Sequence, residues 1–343
     1  MQTTKADALY AGADLHGNNV FLSLCDQEGN DVFHKRVKTT LAAVNAALEP
    51  YWKRIVVLGV ESTFNWYWFV DGLREQGRNV KLGNPAKMEQ YKGIKITGDL
   101  SDAGWLAEQL RLGIFPECYI YPKEIRPVRD ALRRRQLFVR RRTQVLLSFG
   151  GLLERYGLDA PGARKMEKWT EEDIKATGLD GFVQLQLETL LDAIRESGRL
   201  AGKIEKQVLA FTKPTEQYKR ATTLPGIGVA LGMLIVLESG DFTRFKSAGN
   251  YASYCRAVKS ERSSNGKIKG KNNAKNGNRY LAWAFVEAAT FAARFNPRIH
   301  AWYERKKASS GVAKAKKALA CKLAKAMWHV MNGKEFDEKL MFG

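Results

Sequence analysis

Cysteine is scarce: Cys25, Cys118, Cys255 and Cys321 are the only four in 343 residues. None is paired at CxxC spacing with another Cys or a His, so neither a zinc site nor a disulfide framework can be read from them. They read as reduced thiols of a cytosolic protein. The N-terminus, MQTTKADALYAG, lacks a basic segment followed by an apolar one, and no signal peptide is expected. Long hydrophobic runs are also missing. The longest, such as Val229 to Leu237, are too short to span a bilayer. These absences predict a soluble cytoplasmic protein with no membrane partner. Acidic residues are the other shortage, 36 Asp and Glu against 56 Lys and Arg, a formal charge of +20. That excess points to a polyanionic partner, of which nucleic acid is the commonest. Hydrophobic residues make up 45% of the chain, which argues against wholesale disorder. The length suffices for two or three domains.

The first third reads as mixed α/β. Leu9 to Asp14, Val20 to Cys25 and Asp31 to Val37 are three candidate strands in a meander. Thr40 can cap a helix through Trp52. Ile55 to Val60 is a continuous apolar run typical of a buried central strand. A helix at about Trp66 to Gln76, a strand at Asn79 to Leu82 and a helix from about Asp99 follow. Three strands, helix, strand, helix, strand, helix is the order of a ribonuclease H-like domain. Pro122 to Pro127 marks a boundary. Beyond it lies a basic helical stretch to Arg155, then a second long helical pattern from about Leu179 to Phe211. Its apolar stripe (Leu187, Leu190, Leu191, Ile194, Ala201, Ile204, Val208) suits a helical hairpin or coiled coil. The remainder is helical, with one polar loop from Ser260 to Asn278. The expected domains are 1–125, a metal-binding α/β domain; 126–215, a basic helical linker; and 216–343, a mainly α C-terminal domain.

Four acids stand out. Asp14 ends the first strand and Glu61 follows the fourth. In a ribonuclease H-like sheet these strands lie side by side, so their carboxylates can converge. Asp99 and Asp102 share one helical face at i, i+3. Four carboxylates brought together repel unless a cation neutralises them, and hard oxygen ligands select Mg²⁺ or Mn²⁺. Such an ion can stabilise both the attacking and leaving oxygens of a phosphodiester. Asp99 and Asp102 would equally serve as ordinary helix caps.

Basic residues are clustered. Arg133, Arg134, Arg135, Arg140, Arg141 and Arg142 crowd the first long helix, and Lys267, Lys269, Lys271 and Lys275 sit in the polar loop. Such segments suit phosphate contact, and an Arg-rich helix can hold folded RNA by shape. Gly226 and Gly228, in Leu224-Pro225-Gly226-Ile227-Gly228, can expose backbone N–H groups to a phosphate in a helix-hairpin-helix-like turn. They can equally serve a tight turn with no ligand. Trp66, Trp68 and Trp105 read as core or interface rather than as base-stacking platforms.

Several of these pieces together resemble a family of bacterial insertion-sequence transposases that includes the pilin-gene invertases. The pieces are Gly12-Ala13-Asp14, Val60-Glu61-Ser62, Asn84-Pro85, Asp99-Leu100-Ser101-Asp102-Ala103, the Leu224–Gly228 turn, Glu238-Ser239-Gly240-Asp241-Phe242-Thr243-Arg244-Phe245, Ser264-Asn265-Gly266 and Lys275-Asn276-Gly277-Asn278. The resemblance covers most of the chain and is weakest from about 155 to 215. It implies a RuvC-like DEDD domain, a helical linker and a C-terminal domain with a serine nucleophile. It also implies that some members are guided by a structured bridge RNA encoded in the element. The nucleophile would be Ser264, then Ser263, then Ser260 in order of preference. This sequence has Ser-Asn-Gly where the family is closer to Ser-Gly. The acids of one subunit would complete the serine site of another, and strand exchange on two duplexes implies a dimer or tetramer. The sequence therefore predicts a DNA transposase or recombinase with DNA, and in the guided case RNA, as partners. A metal-dependent junction-resolving nuclease using water, and a non-catalytic nucleic-acid-binding protein, stay open as alternatives.

Overall fold

A computed structural model describes residues 7–88, 102–258, 261–264, 267–271 and 276–342, with only the backbone described for 261–271. The chain divides into two compact units, one built chiefly from Met1–Lys123 and the other from Glu124–Asn272 with Gly277–Gly343.

The first unit is mixed α/β around a five-stranded sheet. Strands β1 (Leu9–Leu15), β2 (Asn19–Cys25) and β3 (Asp31–Lys38) form an antiparallel meander. β4 (Ile55–Glu61) then pairs parallel to β1, and β5 (Val80–Gly83) parallel to β4, giving the order β3-β2-β1-β4-β5. The apolar run of β4 belongs at the interior of the sheet, and the charged, largely exposed β3 belongs at its edge.

Helix α1 (Leu41–Leu48) is capped by the Thr40 hydroxyl, which accepts from the Ala43 N–H at 3.2 Å. It stops four residues before the expected end at Trp52. Pro50 has no N–H to continue the helical ladder, and Tyr51 and Trp52 fold in a turn onto the Leu48 carbonyl. Helices α2 (Trp66–Glu75) and α3 (Pro85–Met88) follow. Helix α4 (Asp102–Arg111) lies against β1 and β2. Its expected start near Asp99 falls outside the described residues.

The second unit is almost wholly helical. Two long helices, α5 (Ile125–Arg155) and α8 (Gly181–Thr212), pack antiparallel along most of their length, joined through short helices α6 (Ala163–Met166) and α7 (Glu171–Lys175). Leu146, Phe149 and Leu153 of α5 meet Val183, Leu187, Leu191 and Ile194 of α8 in a common core. The apolar stripe read from the sequence is thus the seam of a helical hairpin. Next come α9 (Glu216–Ala221), α10 (Val229–Ser239), α11 (Ala248–Tyr254), α12 (Arg279–Phe295), α13 (Pro297–Ser310), α14 (Val312–Met331) and α15 (Glu338–Phe342). Met233, Leu234, Tyr251, Phe285, Leu319 and Leu323 are among the buried residues of their core. The expected polar loop at Ser260 to Asn278 is instead a β-hairpin, β6 (Glu261–Ser264) with β7 (Lys267–Lys271). Ser264 pairs with Lys267.

Glycine 12 decides how closely α4 approaches the sheet. A Cβ added there would stand 1.8 Å from the Ala103 carbonyl oxygen and 2.8 Å from the Ala107 nitrogen. Both are backbone atoms of α4 and cannot rotate away. Gly12→Ala should therefore destabilise the protein by about 1–3 kcal/mol through overpacking. The readout is a lower urea midpoint with an unchanged denaturant slope.

Candidate functional site

Two centres carry the chemistry that the sequence suggested. The first lies at the ends of β1 and β4. These strands run parallel with Ala13 opposite Val60, so the following residues, Asp14 and Glu61, end adjacent strands on the same side. The Glu61 carboxyl is held above its ordinary value, first by burial and then by the negative charges of Asp14 and Asp102. That places Asp102, in the first turn of α4, within the electrostatic reach of the other two. Asp14 is also engaged by a group that motif reading missed: His16 Nε2 lies 3.0 Å from Asp14 Oδ2. His16 is held in place by its neighbours. Its N–H donates to the Asn19 carbonyl at 2.9 Å, its carbonyl accepts from Asn65 Nδ2 at 2.9 Å, and its ring meets Phe21 edge-on. Thr63 Oγ1 donates in turn to Asn65 Oδ1 at 2.9 Å. The alternation Asp14-x-His16 at a strand end was the available signal, and it is a weak one.

Asp99 lies outside the described residues. Among the described residues no three His, Cys, Asp or Glu side chains stand close enough to share one metal ion. Glu61 feels the charges of Asp14 and Asp102 without the three converging on one point. Their donor atoms are all hard oxygens, and their mutual repulsion is the kind a divalent cation relieves. The residues fit Mg²⁺ or Mn²⁺ on those grounds.

The second centre is the hairpin and its base. Ser263 and Ser264 lie in β6, and Lys267, Lys269 and Lys271 in β7. Ser260 and Lys275 fall outside the described residues. The two feet of the hairpin are tied together. The Asn278 N–H donates to the Tyr254 carbonyl at 2.6 Å, and Arg256 donates through Nε and Nη2 to the Gly277 carbonyl at 3.2 and 2.9 Å. The Asn278 side chain caps α12, its Oδ1 accepting from the N–H groups of Tyr280 at 2.8 Å and Leu281 at 3.2 Å. Its Nδ2 donates to Glu238 Oε2 at 2.7 Å.

Glu238 is the centre of this arrangement and is only 1% exposed. Arg133 grips it with Nε on Oε1 at 2.5 Å and Nη2 on Oε2 at 2.8 Å, and Arg129 Nε donates to Oε2 at 3.1 Å. Burial alone pushes the Glu238 carboxyl up. The hydrogen bond from Arg133, the charges of Arg129 and Arg133, and the bond from Asn278 outweigh it and hold the carboxyl below its ordinary range. The rest of the Glu238–Phe245 motif also has a structural account. Ser239 Oγ and the Tyr251 hydroxyl share a buried hydrogen bond of 2.8 Å, Arg244 donates to the Ser239 carbonyl, and Asp241 caps the turn at Thr243.

Three of the arginines expected to touch nucleic acid are occupied inside the protein. Arg133 holds Glu238, Arg135 Nε donates to Glu205 at 2.7 Å, and Arg142 pairs with Glu167. The helical periodicity turns these toward α8, α10 and the linker. Arg134, Arg140 and Arg141 are exposed. Gly226 is likewise a packing residue: its φ is +80°, and a Cβ there would stand 2.2 Å from the Ala288 carbonyl of α12. Gly228 caps α10 with open space around its α-carbon. No helix among the described residues is long and apolar enough to cross a membrane. The thiols are free of disulfides, and burial followed by the charge of Glu108 pushes Cys25 up to about 12.

Comparison with known proteins bears on both centres. Residues 11–157 match the DEDD transposase family of IS110 elements, and residues 218–304 match the transposase IS116/IS110/IS902 family. The chain is similar to the transposase for insertion sequence element IS1111A of Coxiella burnetii, 23% identical over 96% of this chain and 91% of that one. It is also similar to a probable family 20 transposase of Pseudomonas aeruginosa, 24% identical over 69% of this chain and 71% of that one. An uncharacterized 43.6 kDa protein of insertion element IS110 in Streptomyces coelicolor is 28% identical over 39% of this chain and 33% of its own length.

The Glu238 cluster has a pH signature. A carboxyl whose folded pKa is depressed stabilises the fold above its unfolded pKa, and that stability is lost as pH falls through the folded value. The wild-type chain should lose stability on acidification below the ordinary carboxylate range, and Glu238→Gln should lose less over the same interval. At neutral pH Glu238→Ala should cost about 3 kcal/mol, because two partly buried guanidinium groups lose a counter-charge and a buried site is emptied. Denaturant midpoints measured from neutral to acid pH read both effects.

Proposed function

Given that this chain belongs to the IS110/IS116 family of insertion-sequence transposases and carries a DEDD-type domain at its N-terminus, we propose that it cuts and rejoins DNA strands through a carboxylate-held divalent metal and a serine nucleophile. The observation that carries the acidic half is the placement of Asp14 and Glu61 at the ends of the adjacent strands β1 and β4, where burial first and then the charges of Asp14 and Asp102 hold the Glu61 carboxyl up. A partly buried carboxylate facing two others is a costly arrangement that a cation makes favourable. A DEDD transposase domain implies a divalent metal, and Asp14, Glu61 and Asp102, with Asp99, would hold it. When bound, such an ion lowers the pKa of an attacking hydroxyl and stabilises charge on a departing oxygen. His16 orients Asp14, as outer hydrogen bonds orient metal-binding carboxylates.

Serine supplies the second half. The favoured residue is Ser264, followed by Ser263 and Ser260. Its Oγ attacks the phosphorus and loses its proton, the bond to the departing deoxyribose oxygen breaks, and that oxygen takes up a proton. A phosphoserine diester replaces the DNA diester. Attack by a strand hydroxyl on that phosphorus forms the new DNA bond and releases the serine. Each step exchanges one diester for another, so no external energy source is required. The base of the hairpin, tied by Asn278 and Arg256, supports this reading by holding the serine-bearing strand to α10 and α12.

Phosphate contact falls to Arg134, Arg140 and Arg141 on α5, to Lys267, Lys269, Lys271 and Lys275 on the hairpin, and to the Gly228 helix terminus. Arg133, Arg135, Arg142 and Gly226 act through packing instead. In this reading the first unit is RuvC-like (1–125), the α5–α8 hairpin forms the linker (126–215), and residues 216–343 form the transposase domain. A structured guide RNA docks by shape on the basic linker face, and two or four copies assemble on the recombining duplexes.

Trapping covalent protein–DNA adducts tests the nucleophile. Ser264→Ala should abolish them while DNA binding persists. Adducts that survive all three single Ser→Ala changes and the triple change would sink the serine mechanism. Cut ends free of protein would favour attack by water.

Metal binding has its own readout. A carboxyl with a raised folded pKa loses stability as pH climbs from its unfolded to its folded value. Glu61→Gln should therefore raise the metal-free melting temperature slightly at neutral pH. Adding Mg²⁺ or Mn²⁺ should raise that of the wild type and leave that of Glu61→Gln unchanged.

A further inference from the structure

Helix α12 has a covered face and an uncovered one. Leu281, Ala284, Phe285, Ala288 and Ala292 are buried in the core. The amphipathic requirement of the helix is met by these residues. The uncovered face nevertheless carries Trp283, Phe291 and Phe295, the last 70% exposed. Positions 283, 287, 291 and 295 follow at four-residue intervals and form one ridge, with steps of about 6 Å along the axis. The Phe291 and Phe295 rings are parallel within 9°, with centroids 6.3 Å apart. The Arg294 guanidinium sits 5.2 Å from the Phe295 centroid, and that of Arg279 sits 5.0 Å from Tyr280. Large aromatic groups left partly in water side by side mark an interaction surface.

The charge of this face selects among partners. Arg279 and Arg294 are exposed on α12, Arg298 is exposed just beyond it in the first turn of α13, and Glu287 is the single acid of α12. At the helix start the Arg256 guanidinium is held down first by burial and then by the charge of Arg279, so a second cation stands near that end. A two-fold pairing of this face with a second copy repeats the same cationic surface on both sides. A polyanion that also offers flat π-surfaces complements both features at once. Bases stacked inside a duplex hide those surfaces, whereas an unpaired strand exposes them.

We propose that this α12 face binds an unpaired DNA strand, with bases stacked on Trp283, Phe291 and Phe295 and phosphates on Arg279, Arg294 and Arg298. The inference rests on the reading of the chain as an enzyme that handles DNA strands, and it gives that enzyme a place to hold a displaced or cleaved end. Glu287 repels phosphate from the ridge itself and keeps the strand's backbone toward the arginines.

Anisotropy titrations of the full chain test this with one labelled sequence as single-stranded DNA, as duplex DNA and as RNA, across a salt series. The double variant Phe291→Ala/Phe295→Ala should bind the single strand roughly 10- to 100-fold more weakly and the duplex within about twofold of wild type. Its salt dependence should not change, because no charge is removed. Arg294→Ala should instead flatten the log–log salt slope by about one. Phe295→Trp should bind as wild type does, while Phe295→Leu, which keeps apolar area without a π-face, should not. All these residues are exposed, so melting temperatures should match and report intact folding. Four results would overturn the proposal: an unchanged single-strand affinity, an equal loss on duplex, a loss confined to RNA, or a Leu variant as good as Phe. So would a fall in sedimenting mass of the double variant, which would make the face a subunit contact. A wild-type chain that binds duplex but not single strands ends this inference alone. One that binds neither form of DNA ends the proposed function with it.

Discussion

A carboxylate removed from water needs its charge answered within hydrogen-bonding distance, and in the second unit that constraint falls on Glu238. Arg129 and Arg133 reach it from α5, and Asn278 reaches it from the start of α12. The same asparagine caps α12 and closes the base of the β6–β7 hairpin. One buried charge thus joins the long helix, the helix that carries Glu238 and the segment bearing the serines. Moving any one of them leaves a charge or a donor unmatched, at several kcal/mol per charge. The hairpin therefore stands on a base that is expensive to displace.

The carboxylates of the first unit are in the opposite condition. Glu61 is partly buried and faces the charges of Asp14 and Asp102, and among the described residues no cation answers it in the way Arg133 answers Glu238. His16 beside Asp14 is half-exposed. Glu238 has a charge balance complete within the chain, as befits a structural role. Glu61 has one that is unbalanced among the described residues, which is what the proposed metal would relieve.

Much of this was legible in the chain, for identifiable reasons. The five strands were readable because alternation and apolar runs follow from the pleat itself. Asp14 and Glu61 could be matched because a three-strand meander followed by a parallel strand leaves few ways to order a sheet. The α5–α8 hairpin was readable from its apolar stripe. The hairpin at Glu261–Lys271 was not, because its strands are short, charged and serine-rich and carry no hydrophobic alternation. Arginines on α5 looked equivalent in sequence. They differ because a helix turns Arg133, Arg135 and Arg142 inward and Arg134, Arg140 and Arg141 outward. The tryptophans early in the chain read as core or interface, and Trp66 is indeed buried, while the exposed aromatic ridge on α12 drew no notice.

Local chemistry was therefore set by the sequence alone. It determined which residues could be strands or helices, the basic excess, the order of the acids and the turn-forming glycines, since these depend on near neighbours and on side-chain type. The tertiary structure decided which like residues do unlike things. Glu238 is buried while other glutamates lie in water, Gly226 is required by the approach of Ala288, and His16 stands against Asp14. Each depends on groups distant in sequence or on the side to which a helix or strand end turns, and neither is written in the local pattern.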